Sequence, residues 1–437
     1  SQMTLGFGNS FVVFKQEKIT TNFLVMKNLL ILGAGSAGTM MMNHLHNKLP
    51  KEWKITVVDK DPIHYYQPGF LFLPFDSYTE DQVKKSKTQF VPKSVNYVQE
   101  GIDRIDAEDK AVYLENGNQL PYDLLIIATG SHIAPEETEG MKGDGWHKDV
   151  FDFYSFEGAK NLRDKLREWE GGKLVIHITE MPIKCPVAPL EFAFLADDYF
   201  TKKGMRDKVD IHYVTPLSGA FTKPTATKKL NYLLENKKIN IVPDFNIMEV
   251  DNENKKIVSY DGTGVDYDLL VTVPTNMGDE CIERSGLGDD LNFIPTDHNT
   301  LQSKDYKDIF VIGDATNVPA SKAGSVAHFE AEILTENILN YIAGKELVPG
   351  FDGHANCFIE TGKGKGMLID FNYTQEPVEG TFPFAGIGPM KLLKESVLNH
   401  WGKLGFRWIY WNMLLKGIPI PFIKPQMSIK GKKIQTQ

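Results

Sequence analysis

Two groups of residues in this chain could carry chemistry: a glycine cluster near the start and the cysteines. Gly33-Ala34-Gly35-Ser36-Ala37-Gly38 has the spacing GxGxxG. It follows a short apolar run, Leu29 to Leu32, and opens a stretch with helical character, Thr39 to Leu49. A second apolar run, Lys54 to Val58, ends in Asp59, 21 residues after the last glycine. In that order each part has a task. Gly33 permits a tight turn, Gly35 lets backbone approach a pyrophosphate, and Gly38 lets helix and strand pack closely. The helix N-terminus faces phosphate, and Asp59 can accept bonds from a ribose. The cysteines are three, Cys185, Cys281 and Cys357. They are too few for a disulfide scaffold, and no CxxC or Cys/His ligand spacing suggests a metal, so none is expected. A pair of them could still do redox work.

These residues need a folded frame, and the chain supplies one. With 437 residues it has room for roughly two to four domains. Its 42 % hydrophobic and 24 % charged residues exclude widespread disorder. The net charge of −9 gives no basic surplus for nucleic acid. That charge is unevenly spread: residues 390–437 carry +8, leaving −17 on the rest. A basic tail on an acidic body speaks of partners. Its most apolar part, Gly405 to Ile423, is broken by Arg407, Asn412, Lys416 and prolines, so no transmembrane helix is expected. Residues 1–25 lack the pattern of a signal peptide. Met26 stands just before the first strand, so residues 1–25 are expected to be an N-terminal extension.

Two further segments narrow the dinucleotide. Tyr122 to Gly130 reads as a strand ending in Ala128-Thr129-Gly130, and Thr300 to Asp314 as a strand ending in Gly313-Asp314. With GxGxxG these resemble the flavoprotein disulfide reductase superfamily. The resemblance implies FAD, held by Gly33, Gly35, Gly38, Asp59, Thr129, Gly130, Gly313 and Asp314. Asp314 would contact the ribityl chain, and a helix beginning at Ala315 would approach the flavin. Such proteins usually carry a second nucleotide-binding unit for NAD(P)H. Here a strand, Lys173 to Thr179, and a helix, Ala188 to Gly204, are joined by Glu180-Met181-Pro182-Ile183-Lys184-Cys185-Pro186, with no glycine. Side chains would fill the space a pyrophosphate needs. The expected fold is α/β: two Rossmann-like units, the second without an NAD(P) site, and a C-terminal amphipathic helical region that binds membrane. The FAD domain would comprise 26–140 and 285–349, the second unit 145–284, and the C-terminal region 350–437.

In place of glycines the second loop presents Cys185. Lys184 to Glu191, the phrase around Cys357, the aromatic run Tyr65 to Phe72, and Gly388-Pro389-Met390-Lys391 together resemble the sulfide:quinone oxidoreductases and their relative, flavocytochrome c sulfide dehydrogenase. The resemblance implies a Cys185–Cys357 disulfide attacked by hydrosulfide, with electrons passing through FAD to quinone. A third cysteine found in many members after the Ala-Thr-Gly strand is absent, so FAD is expected to be non-covalent and Cys281 structural. Glu191 and His132 are candidates for proton handling. Lys322 is expected by the flavin, and Lys391 and Phe384 at the quinone. Partners would be sulfide, quinone and a membrane surface, with the protein peripheral (monotopic) and its membrane face open. The alternatives are a type II NADH:quinone oxidoreductase, a flavocytochrome subunit, or a non-enzymatic flavin-binding protein.

The tail carries the membrane expectation. Leu393, Val397, Trp401, Leu404, Trp408, Trp411 and Leu415 recur at helical spacing as one face, with Gly402 and Gly405 expected to split it into two helices. Tryptophans suit the lipid interface and the flanking lysines suit anionic headgroups. The stripe could instead pack on the body or on a second copy, making a homo-oligomer.

Overall fold

The computed structural model describes residues 25–434. The expected extension, apart from Val25, therefore lies outside the described residues. The first apolar runs form a parallel five-stranded sheet in the order Ile309–Val311, Leu124–Ile127, Lys27–Leu32, Trp53–Val58, Asn96–Val98. Parallel strands are covered on both faces, so they read as continuous apolar runs rather than alternating ones. Leu124–Ile127 is buried throughout, as that requires. Helix α1 (Ser36–Leu45) starts directly after Gly35, three residues earlier than the apolar pattern suggested, because Ser36-Ala37-Gly38 is itself the first turn. A strand near residue 310 thus lies in the same sheet as strands before residue 130.

A second parallel sheet runs Val150–Phe151, Leu269–Val273, Gly172–Ile178, Val209–Val214, Asn240–Val242. Its connections include α2 (Phe156–Glu168), α3 (Ala188–Lys202) and α4 (Pro224–Asn236). The two sheets are linked by an antiparallel pair, Ser131–Ala134 with Thr275–Gly278. Next comes the short α5 (Glu280–Ser285), capped by the Asp279 side chain. Cys281 on it is fully buried in a cluster with Leu30, Leu125 and Ile309. The helix expected at Ala315 begins later: α6 spans Gly324–Ile342. Between them the chain passes through Val318-Pro319, and a residue before proline is biased out of the helical region.

The C-terminal region contains a sheet that the sequence did not reveal, in the order Ala355–Gly362, Lys365–Phe371, Gly388–Leu392, Gly380–Phe384, with Glu395–Ser396 added to Lys365–Phe371. Against it lies α7 (Val397–Asn412), whose Ser396 side chain accepts the Asn399 N–H at 3.1 Å. This is one helix, not two. Gly402 lies where its missing side chain lets the helix press on Phe358; a Cβ there would stand 2.7 Å from that ring. Close packing outweighs the roughly 1 kcal/mol that glycine costs a helix. The stripe is not one exposed face either. Val397, Trp401 and Trp408 are exposed, while Leu393, Trp411 and Leu415 are buried. Leu393 precedes the helix and Leu415 follows its end, and Trp411 turns inward to stack on Phe90, ring centroids 5.6 Å apart. No helix among the described residues is long and apolar enough to cross a membrane.

Gly402→Val should overpack the contact with Phe358 and Met390. We expect a loss of about 1–3 kcal/mol, read by chemical denaturation. Gly405→Ala, where a Cβ meets nothing within 4 Å, is expected to be neutral or slightly stabilising.

Candidate active site

The glycine turn, the second loop, the C-terminal sheet and α7 enclose a cavity of about 510 Å³. At its nucleotide end lie Gly33, Gly35, Asp59, Thr129, Gly130, Gly313 and Asp314. The backbone there fits a dinucleotide. Gly33 has φ +93°, and a Cβ on it would run into the Ala128 carbonyl. Gly38 lies behind the lining; a Cβ there would strike the Gly33 carbonyl, so its role is close packing. At Gly35 a Cβ meets nothing within 4 Å, leaving the open approach a pyrophosphate needs. Asp59 accepts the Ala34 N–H at 2.7 Å and pairs with buried Lys87 at 2.7 Å. The Gly313 N–H donates to Glu330 at 2.7 Å, and burial pushes that carboxyl up to about 8.

The second loop turns its cysteine into the same cavity. Cys185 has φ +45°, a region few non-glycine residues occupy. Three backbone bonds hold it there. Its N–H donates to the Lys322 carbonyl at 2.7 Å, and its carbonyl accepts from Ala188 N–H at 2.9 Å and the Tyr154 hydroxyl at 3.2 Å. Lys184 beside it donates to the Ser131 carbonyl at 3.1 Å and to Gln67 at 3.2 Å, and burial lowers its pKa against the pull of Asp314 and Asp152. Cys357 enters from the strand Ala355–Gly362. Both cysteines line the cavity and are free thiols. Burial pushes the Cys185 thiol up to about 11, with Lys403 pulling the other way. Burial, then the charge of Cys185, pushes Cys357 higher still.

Next to the thiols stands a buried ion pair. Glu191 on α3 is fully buried and meets Lys403 of α7 at 2.8 Å. Glu191 also accepts the Glu360 N–H at 2.8 Å, and Lys403 also donates to the Phe358 carbonyl at 3.1 Å. Burial opposes the charge on Lys403, but Glu191, then Cys185, outweigh it, and its pKa is raised. The sequence reading counted Lys403 among the cations of a basic tail suited to anionic headgroups. Its burial is a correction, and the one local signal was a cation set inside an apolar helix next to two glycines.

The far end of the cavity is apolar, lined by Phe382, Met390, Phe406, Ile409, Ile420 and Ile423. Lys391 and Phe384 are outside the lining. Adjacent strand residues point to opposite faces, so Met390 faces in and Lys391 is exposed. Phe384 lies at the rim, 5.4 Å from the ring of exposed Phe422. His132 is also outside: Ser131 lines the cavity, and His132, next on the strand, does not. Lys322 does line it, but its ammonium is occupied by the Asp314 and Thr316 carbonyls at 2.9 and 2.7 Å and lies 4.1 Å from the centre of the Phe293 ring. It braces the Gly313-Asp314 turn and, through its own carbonyl, the Cys185 loop. The sequence reading also missed Tyr410, whose hydroxyl meets Ser36 and His64 at 2.6 Å each and ties α7 to the glycine turn.

Residues 27–331 match the family model described as pyridine nucleotide-disulphide oxidoreductase. The chain belongs to that family. Membership implies a flavin cofactor. Among curated relatives, the mitochondrial sulfide:quinone oxidoreductase of Dictyostelium discoideum is 28 % identical, covering 93 % of this chain and 92 % of that protein. The mouse protein of the same name is 25 % identical, covering 89 % and 86 %. The crystal structure of the sulfide:quinone oxidoreductase from Aquifex aeolicus superposes with a TM-score of 0.75 at 19 % identity, covering 90 % of this chain and 92 % of that one. The resemblance drawn from the cysteine phrases is thus borne out.

Lys403→Met should leave Glu191 buried without its counter-charge and cost about 3–5 kcal/mol. Adding Glu191→Gln should recover much of that loss, because the penalty lies in the orphaned charge. Denaturation of both variants checks this. A double variant less stable than Lys403→Met would refute the assignment.

Proposed function

We propose that this chain is an FAD-dependent sulfide:quinone oxidoreductase. The observation that carries the reading is that Cys185 and Cys357, 172 residues apart in the chain, face one cavity with the dinucleotide cradle. In the oxidised form their sulfurs would be joined. Hydrosulfide attacks one sulfur, the S–S bond breaks, and the products are a persulfide on one cysteine and a thiolate on the other. FAD, when bound, takes two electrons from the sulfur centre and passes them to a quinone. Gly33, Gly35, Asp59, Thr129, Gly130 and Asp314 would hold it, with Lys184 and Lys322 bracing the groups around it. Glu191 takes the proton that the persulfide S–H loses when it ionises. Lys403 keeps the cavity favourable to anions, hydrosulfide and thiolate alike.

The quinone would enter the apolar end. Phe384 and Lys391 then belong to its mouth rather than its lining. Ile387, Trp401, Trp408 and Phe422 are exposed around this end, each more than 60 %. Tryptophans, apolar tips and lysines together suit a water–lipid boundary, so this face would rest on a membrane and admit quinone from it.

The second loop supports an electron donor other than NADH. It has no glycine, its Ile183 is buried, and Glu180 accepts the Thr275 hydroxyl at 2.6 Å. Anaerobic sulfide should bleach the flavin band, and NADH or NADPH should not at useful rates. Rapid bleaching by NADH would favour the type II NADH:quinone reading. Bleaching by sulfide without turnover on quinone, but with turnover on a haem protein, would favour a flavocytochrome subunit. No bleaching by either would leave a flavin-binding protein without this chemistry. Cys185→Ser and Cys357→Ser should each abolish sulfide-dependent quinone reduction while flavin stays bound, and Cys281→Ser should be near neutral. For the membrane face, Trp401→Glu with Trp408→Glu should abolish sedimentation with anionic liposomes at unchanged flavin content. Undiminished sedimentation would remove this face from the membrane role.

A further inference from the structure

Ionisation of a sulfur in a largely buried cavity sets a problem of proton exit. Cys357 is buried, Cys185 is half-buried, and Glu191, the carboxylate beside them, is fully buried. A proton taken by Glu191 must leave before the next turnover. The strand Ala355–Gly362 and helix α7 offer a route. Phe358 and Glu360 both face α7: Phe358 packs on Gly402, and Glu360 meets His400 at 2.8 Å. Along α7, His400 and Lys403 are one turn apart on the same face. Titratable groups therefore follow one another outward: Glu191, Lys403, Glu360, His400. The Glu360 side chain is 2 % exposed and the His400 side chain 21 %. The chain thus runs from the sulfurs to solvent.

We propose that Lys403, Glu360 and His400 are a proton relay that connects Glu191 and the cysteine cavity to solvent. The inference rests on the sulfide-oxidation reading for its purpose, though not for its geometry. The steps balance. A persulfide S–H during turnover, or a cysteine thiol in the reduced protein, gives its proton to the Glu191 carboxylate. Lys403 takes that proton as it releases one of its own to Glu360. Glu360 passes it to His400, and His400 gives it to water. Each group returns to its starting state, one proton leaves for each S–H ionised, and no electron moves. Lys403 bonds Glu191 directly, while the passage to Glu360 is not a direct hydrogen bond and needs one water or a swing of the lysine stem. Glu360 suits the task. Burial pushes its carboxyl up to about 7, with the His400 contact pulling it down, so near neutrality it can both accept and donate. The charged and titratable groups that face it are His400 and Lys403 from α7, Glu191 from α3, and the Tyr78 phenol, with Arg407 4.4 Å from the centre of its ring.

The test uses the flavin-loaded protein and two readouts. The first needs no sulfide: reduced protein is mixed into D2O, and decay of the thiol S–H infrared band is followed in a Cys281→Ser background. His400→Ala should slow this exchange by about tenfold or more, and added imidazole should restore it, since a small base can stand where the half-exposed ring stood. Glu360→Gln should slow it too and remove the rise in rate through neutral pH, and Glu360→Asp should recover part of the rate. The second readout is the rate at which sulfide bleaches the flavin, which should fall in the same variants. If sulfide never bleaches the wild type, the functional reading fails, and the exchange experiment still judges the relay. Should Glu360→Gln lose its flavin, His400→Ala with imidazole decides alone. Unchanged exchange in His400→Ala at every pH, or slowed exchange that imidazole does not rescue, overturns the proposal.

Discussion

The contact on which the rest of this structure depends is the buried pair of Glu191 and Lys403. Removing two charges from water costs several kcal/mol each, and only their mutual attraction and full hydrogen bonding offset it. Here the remaining bonds come from backbone: the Glu360 N–H to Glu191 and the Phe358 carbonyl to Lys403. Three elements distant in the chain must therefore meet at one point: α3, the strand Ala355–Gly362, and α7. That meeting brings Cys357 toward Cys185. It also lays α7 over the cavity, where Tyr410 reaches the glycine turn. A structure that satisfied the pair in another way would not have the same cavity.

The second Rossmann-like sheet carries a loop unlike the glycine turn of the first. Its strand–loop–helix order remains, but the loop is filled by its own side chains, with Ile183 buried and Lys184 bonded to Asn276 through its N–H. The loop presents no glycine turn. It can instead hold a side chain in a conformation that costs energy. Cys185 sits at positive φ, and such strain persists only where the surroundings over-determine it. Its three backbone bonds supply that determination. One runs to Lys322, which also braces the Gly313-Asp314 turn, so the positions of the thiol and of the nucleotide turn are mechanically linked.

The nucleotide cradle was legible in the sequence for a physical reason, and the pairing of Cys185 with Cys357 through the family resemblance. A turn that brings a strand, a helix start and a phosphate together admits little but glycine at Gly33 and Gly38, so spacing alone reveals it. Other features depend on partners far away. Nothing near Lys403 in the sequence says that Glu191 will neutralise it, and a lysine in a basic tail reads as exposed. Gly402 reads as a helix breaker until Phe358 is found against it. Lys391, Phe384 and His132 were expected at the site and lie outside the cavity lining. Whether a strand residue faces a cavity or its rim turns on a shift of one position, and the pleat decides it. The C-terminal sheet was missed because its strands, rich in Gly, Pro and polar residues, do not alternate cleanly.

Helix α7 couples the cavity to an exposed aromatic face. With 3.6 residues per turn, its inward line of Asn399, Lys403 and Tyr410 and its outward line of Val397, Trp401 and Trp408 belong to one rigid rod. The inward line holds the charge beside the sulfurs and the hydroxyl beside the glycine turn. The outward line holds exposed aromatic surface next to the apolar mouth. Two large exposed tryptophans thus stand on a helix whose other face is already fixed by an ion pair, a hydrogen-bonded tyrosine and a packed glycine. The same rod that sets the charge beside the sulfurs therefore sets the direction in which the exposed tryptophans face. Neither can be tilted without disturbing the other.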